Sequence, residues 1–178
     1  MSKNITGALI SCLLLLCSAA SFGFSDASSK QLQLVGEARF KFLFWDIYDS
    51  TLFTASGAFN SQLPLTQQLP LKLKIDYLRD IEAADLVDNT IDQWRKIGLS
   101  QSAIDAHQAL ISDLWPNIGK NDQLAIVLDE QGSQFYYNGK AIGGQLSTEF
   151  GVDFVSIWLA ENTTEPKLRS KLINAQSD

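Results

Sequence analysis

Apolar and polar positions alternate most regularly over residues 71–77, where Leu71, Leu73, Ile75 and Tyr77 share one face and Lys72, Lys74 and Asp76 the other. A period of two predicts a half-buried strand, and two more steps of the same alternation would point Arg79 inward. Residues 32–44 also read as extended. Leu32, Leu34, Gly36, Ala38, Phe40, Phe42 and Phe44 fall on one parity, while the other runs from Glu37, Arg39 and Lys41 to Leu43, Trp45 and Ile47. That pattern predicts a strand that starts half exposed and ends buried on both faces. Residues 51–58 predict a second strand with a bend at Ser56-Gly57, and residues 60–70 a polar, proline-bounded loop.

The period then changes. From Asp80 onward, Ile81, Ala84, Val87, Ile91, Trp94 and Ile97 recur at spacings of three and four, which predicts a helix stopped at Gly98. Ser100 or Ser102 caps a second helix, whose stripe is Ala103, His107, Leu110, Ile111 and Leu114 before Pro116. Strands return at 124–128, 134–137 and 140–142, the last two joined by Asn138-Gly139, a tight-hairpin dipeptide. Ser147 caps a further helix with Phe150, Phe154, Ile157 and Trp158 on one stripe, and residues 166–173 predict a short terminal helix. Strands on either side of a helical pair, without strand–helix alternation, predict an α+β fold.

Composition narrows the setting. A chain of 178 residues with 46% apolar content supports one domain with a sizeable core. The first twenty residues stand apart: Lys3, an apolar run from Ala8 to Cys17, and small residues at Ser18-Ala19-Ala20. They predict a signal peptide over 1–20, cleaved about residues 20–23, with an uncleaved anchor as the alternative. A polar tail over 21–30 and a single domain over 31–175 follow, and the mature chain is expected in the periplasm or outside the cell. Both cysteines, Cys12 and Cys17, fall in the leader, so disulfides and thiolate chemistry are not expected of the mature chain. A net charge of −6 without a basic cluster argues against nucleic acid or an anionic membrane as partner. After leader removal, the expected partner is a small molecule and not a membrane.

No G-x-S-x-G, H-E-x-x-H, phosphate-loop or dinucleotide motif occurs. The chain has one histidine, His107, which lies on an apolar stripe and reads as a core residue. No catalytic residue and no metal site are expected. Asp46 reads as a turn-proximal carboxylate, and Asp80, Glu82 and Asp85 as ordinary partners of a helix N-terminus. The aromatic run Phe40, Phe42, Phe44, Trp45 and Tyr48 is either core or the wall of a ligand cavity. Arg79 either forms a buried ion pair, with Asp46, Asp76 or Asp80, or clamps the acid group of a ligand with Tyr77 as second donor.

Four blocks in order, Gly36–Arg39 through Phe44–Asp49, Asp76–Ile81, Asp122–Lys140 and Phe154–Leu159, resemble the bacterial chalcone isomerase-like family over residues 32–173. The resemblance implies an open-faced, large antiparallel sheet covered on one face by a layer of helices, with a ligand cleft between them. Plant relatives cyclise chalcones with an arginine and threonine and tyrosine hydroxyls; others bind fatty acids without catalysis, and some fungal ones bind haem. Here the plant threonine falls on Leu43 and the plant tyrosine in Ala83-Ala84, so the hydroxyls are missing. The resemblance therefore implies a non-catalytic module for an apolar, acidic ligand that is fatty-acid-like or haem. Arg79 or Arg39 anchors the acid group, with Tyr77, Trp45 and Tyr48 as further ligand-binding residues. The alternative is an isomerase or lyase for a chalcone-like phenolic or enone substrate, using Tyr48, Tyr77 or Asp46 as its acid–base group.

Overall fold

The computed structural model describes residues 31–174; the leader, its cleavage site and the polar tail lie outside them. Six strands form one antiparallel sheet in chain order: β1 Gln33–Phe42, β2 Trp45–Thr54, β3 Leu71–Tyr77, β4 Gln123–Asp129, β5 Gly132–Tyr137 and β6 Lys140–Leu146. The helices are α1 Ala83–Lys96, α2 Gln101–Ser112, α3 Thr148–Leu159 and α4 Pro166–Leu172. α3 packs across β4 and β5, α4 across β1 and β2, and α1 joins α2 to α3. The predicted α+β architecture, an antiparallel sheet with a layer of helices, is the one observed.

β3 keeps its alternation, with Leu71, Leu73, Ile75 and Tyr77 buried and Lys72, Lys74 and Asp76 only partly so. The core between sheet and helices is strongly aromatic. Phe135 packs edge-on to Phe150 and Phe154, while Trp94 meets Phe150 and donates its indole N–H to the Asp153 carbonyl at 3.0 Å. His107 is buried as expected, but its partner is a carboxylate: Nε2 lies 2.8 Å from Asp153 Oδ2. Helix ends follow local chemistry, since Ser100 and Ser147 accept from the Ala103 and Phe150 amides, and Gly98 takes φ 87° after α1. Ile104 rather than Leu110 completes the α2 stripe, leaving Leu110 exposed.

The N-terminal third departs from the predicted pattern. The chain turns at Leu43-Phe44, so 32–47 is two strands and not one; β2 begins at Trp45 rather than Thr51. Far from being buried on both faces, that stretch ends in a projecting tip, with Phe42, Leu43, Phe44 and Trp45 exposed by 62%, 76%, 80% and 49%. Neither turn residue is glycine or asparagine, which is why the turn left no local signal. A register shift between Leu34 and Gly36 also moves the inward positions, so that Val35 and Ala38 are buried and Leu34 is exposed. Gly36 then faces α4: a Cβ there would lie 2.6 Å from the Lys171 and Leu172 carbonyl oxygens. Its missing side chain lets α4 rest on β1.

Candidate functional site

The residues that build the site come from three layers. β2 and β3 pair Tyr48 with Tyr77, and β1 pairs Phe40 with Tyr48, which sets three rings side by side on the sheet. Phe40 stacks on Tyr48 at 5.1 Å between ring centroids, and Tyr77 meets Tyr48 edge-on at 6.0 Å. From α3 above, Trp158 donates its indole N–H to the Tyr48 hydroxyl at 3.0 Å, and Phe154 packs on Trp158 at 5.2 Å. Together these rings floor a cavity of about 960 Å³ between the sheet and α1, α3 and α4. That size lies at the upper end of the range of small-molecule sites, roughly 300–1,000 Å³.

The mouth is polar. α1 contributes Asn89, Gln93 and Lys96, spaced so that they form one ridge beside the buried stripe. Gln93 Oε1 accepts from the Thr164 hydroxyl at 2.6 Å, which ties α1 to the loop before α4. On the opposite side, β3 ends at Tyr77 and the chain runs through Arg79 and Asp80 before α1. That connection is held by the 117–122 segment. Tyr77 N–H donates to the Asp122 carbonyl, Asn121 N–H to the Tyr77 carbonyl, and Ile81 and Ile118 exchange two backbone hydrogen bonds at 2.9 Å. Asn117 Oδ1 accepts from the Ala83 amide at 2.9 Å, a cap supplied to α1 from 34 residues away.

Arg79 therefore lines the cavity from a bend rather than from a continued strand, and it is exposed, not buried inward. Its guanidinium lies over the Trp45 ring, 4.3 Å from the centroid. Each candidate carboxylate is otherwise engaged. Asp46 meets Lys41 at 2.9 Å and Arg39 at 3.0 Å, and Asp76 meets Lys74 at 2.8 Å. Asp80 accepts from the Lys120 amide at 2.7 Å. Among the described residues Arg79 has no ion pair, so the internal pairing considered for it does not form.

Of the five residues singled out for ligand binding, Arg79, Tyr77 and Tyr48 line the cavity, and Trp45 carries Arg79 at its rim. Arg39 lies elsewhere. It points to a shallow polar depression with Asp49, Lys74 and Asp76, where its Nε lies 2.7 Å from Asp49 Oδ1. Asp46, offered as an acid–base group, is absent from the cavity lining, and its carboxyl is held below the ordinary carboxylate range by the Lys41 ammonium first and Arg39 second. The lining residues that were not singled out for ligand binding include Trp115, the α1 ridge and Trp158, the last read only as part of its helix's apolar stripe. Asn89, Gln93 and Lys96 border the apolar stripe, and their i, i+4, i+7 spacing was the available clue.

Burial pushes both phenols well above their usual range, Tyr77 with a further contribution from Tyr48, and Tyr48 despite an opposing hydrogen bond from Trp158. They stay protonated at neutral pH and are donors, not bases. Because Tyr48 accepts from Trp158, its own proton is available to the cavity, and the Tyr77 hydroxyl has no partner among the described residues. Haem does not fit this lining. The single imidazole, His107, is engaged with Asp153 and does not line the cavity, and phenols kept neutral by burial are poor axial ligands, which need the phenolate. Leu43, where the plant threonine falls, stands at the exposed hairpin tip and carries no hydroxyl.

Comparisons with known proteins agree with this architecture. A Haemophilus influenzae protein is 23% identical over 150 residues, covering 84% of this chain and 72% of that protein. The crystal structure of an Arabidopsis thaliana fatty-acid binding protein superposes with a TM-score of 0.58 at 11% identity, covering 80% of this chain and 87% of the other. At that identity the match speaks for the fold. The chalcone isomerase-like family model matches residues 24–174, and the chain belongs to the chalcone isomerase-like family.

Proposed function

We propose that this protein is a non-catalytic binding module of the bacterial periplasm that holds an apolar ligand bearing an acid group, of the fatty-acid class. The observation that carries the reading is Arg79. It is a cation at the mouth of an aromatic-floored cavity, stacked on Trp45, with no carboxylate of its own among the described residues. A guanidinium in that position suits a carboxylate in two-pronged geometry, while the tail fills the space among Tyr48, Phe154 and Trp158. The Tyr48 and Tyr77 hydroxyls add neutral donors for a second oxygen. The fatty-acid binding protein with the same fold lends the ligand class, and the leader-like residues 1–20 lend the compartment.

The test is titration of the mature protein with a soluble fluorescent fatty acid. Arg79→Ala is expected to stay folded and bind at least ~10-fold more weakly, since a charged hydrogen bond contributes about 1.5–3 kcal/mol. Arg39→Ala, on a residue outside the cavity, is expected to leave affinity unchanged. Equal affinity of wild type and Arg79→Ala removes Arg79 from the site. Turnover of a chalcone panel that is abolished by Tyr77→Phe supports an isomerase instead.

A further inference from the structure

The β1–β2 hairpin tip reaches beyond the cavity, whose lining takes Phe42 from it and whose rim takes Trp45. Its four consecutive residues, Phe42, Leu43, Phe44 and Trp45, are all large, apolar and half to four-fifths exposed. Leu43 has φ 54°, a left-handed backbone that glycine or asparagine adopts at far lower cost than leucine. A turn that bears such strain and also exposes two large apolar side chains spends stability twice, and strain kept at a surface is a pointer to function.

We infer that this tip inserts into the interface of a lipid bilayer and docks the cavity mouth against it. Three features favour a bilayer over a protein partner. The first is the order of residues: Leu43 and Phe44 project furthest, Trp45 stands behind them, and the Arg79 guanidinium lies on the Trp45 ring. Apolar residues beyond a tryptophan and a cation match the depth profile from acyl chains through the interface to the phosphates. The second is shape, because a two-residue turn offers little area against the roughly 800 Å² per partner of a stable protein interface. The third is continuity. Phe42 and Arg79 belong both to the tip region and to the cavity lining, so a ligand leaving the bilayer would enter without crossing water.

The acidic balance of the chain opposes attraction to anionic lipid, but insertion of this kind does not need it. At the tip, Arg39 and Lys41 are paired with Asp46 and Asp49, and the Arg79 guanidinium on the Trp45 ring is the cation beside it, with the carboxylates of Asp80, Glu82 and Asp85 also lining the cavity. Transfer of ligand from the docked bilayer rests on the binding function proposed above; docking itself does not.

The experiment measures binding of the ligand-free mature protein to phosphatidylcholine vesicles by co-sedimentation, with quenching of tryptophan by bromine placed in the acyl chains. Trp45 is half exposed while Trp94, Trp115 and Trp158 are buried, so quenching reports the tip. Wild type is expected to sediment and be quenched, with weak salt dependence. Leu43→Gly/Phe44→Ser, which suits the turn's single positive φ, is expected to stay folded and lose at least ~10-fold in vesicle affinity. Trp45→Phe is expected to sediment but lose the quenching. Absence of wild-type binding, or equal binding by the double variant, overturns the proposal. So does a wild-type dimer that the double variant converts to monomer, because the tip would then be a contact between copies. Vesicle binding without fatty-acid binding upholds docking and refutes the binding function, and the reverse result refutes docking alone.

Discussion

The sheet contains three hairpins closed by two-residue turns, and two of them, β1–β2 and β5–β6, obey opposite rules. Between β5 and β6 the turn is Asn138-Gly139, with φ 48° and 78°, values these residues adopt readily. Asn138 also works as a bracket: Oδ1 accepts from the Gln123 amide at 2.8 Å, and Nδ2 donates to Asp122 Oδ1 at 2.8 Å. Between β1 and β2 the turn is Leu43-Phe44. Leucine sits at φ 54° with no side-chain donor or acceptor to recover the cost, and both residues face solvent. One turn is built for the fold, and the other gives up stability to present apolar surface beside the cavity mouth. The contrast teaches that a turn's departure from local preference is a functional signal when the same chain shows the favoured solution elsewhere.

Exchanging the turn chemistries tests that difference most strongly. Asn138→Leu/Gly139→Phe is expected to destabilise by about 2–3 kcal/mol, from a side chain forced into left-handed backbone and from loss of the Gln123 amide's acceptor. Nothing lies within 4 Å of a Cβ at Gly139, so the cost is backbone and not packing. Thermal unfolding would show a fall of about 5–10 °C for a domain of this size. An unchanged midpoint would remove the structural half of the contrast.

The reverse exchange has a smaller effect of opposite sign. Leu43→Gly is expected to raise stability by about 0.5–1 kcal/mol, read from denaturant midpoints, because it relieves the positive φ at an exposed site where few contacts are lost. A loss of more than this amount would mean that Leu43 is part of the packed structure.

Acid titration separates the two ends most finely. Asp122 is held below the ordinary carboxylate range by the Tyr137 hydroxyl first, then by the Asn138 amide and the Gly119 N–H. Asp46 is lowered by the Lys41 ammonium and Arg39. In both cases the folded value lies under the unfolded one. The stabilisation is therefore complete above the ordinary carboxylate pKa, about 3.9, and is lost as pH falls through the depressed folded value. The donors differ, since those of Asp122 are neutral and those of Asp46 are cations at the surface. NMR titration of the carboxyl carbons is expected to show that added salt moves Asp46 toward its ordinary value and leaves Asp122 in place. Equal salt response at both sites would contradict this assignment of causes.

How much was legible in the chain follows from the range of the forces involved. The alternation through β3, the stripe Val87, Ile91 and Trp94, the serine caps at Ser100 and Ser147, and the Asn138-Gly139 turn were all readable, because each depends on neighbours within a turn or a strand. The turn at Leu43-Phe44 was not, since its residues carry the apolar pattern of a buried strand and none of the chemistry of a bend. The extra residue at Val35 was equally silent, and it changed which side chains of β1 face the core. At the site, Phe40 and Tyr48 of the aromatic floor stood in a cluster of rings visible in the sequence, whereas Tyr77, Phe154 and Trp158 join them from other elements. The polar rim from α1 was hidden, because a residue bordering an apolar stripe looks the same whether it faces water or a cavity mouth.

The sequence by itself determined the kinds of element, their order and hence an antiparallel α+β fold, and it marked Arg79 as a cation in need of a partner. Only the tertiary structure decided which partner. Register across β1, β2 and β3 brings Asp46 and Asp49 to Arg39 and Lys41, Asp76 lies beside Lys74, and the 117–122 segment delivers the Lys120 amide to Asp80. Those pairings occupy the carboxylates that the sequence offered to Arg79 and leave its guanidinium on Trp45 at the cavity mouth. Apart from Lys74 and Asp76, neighbours on one face of β3, these contacts are settled by distances across strands and loops that no local pattern along the chain encodes.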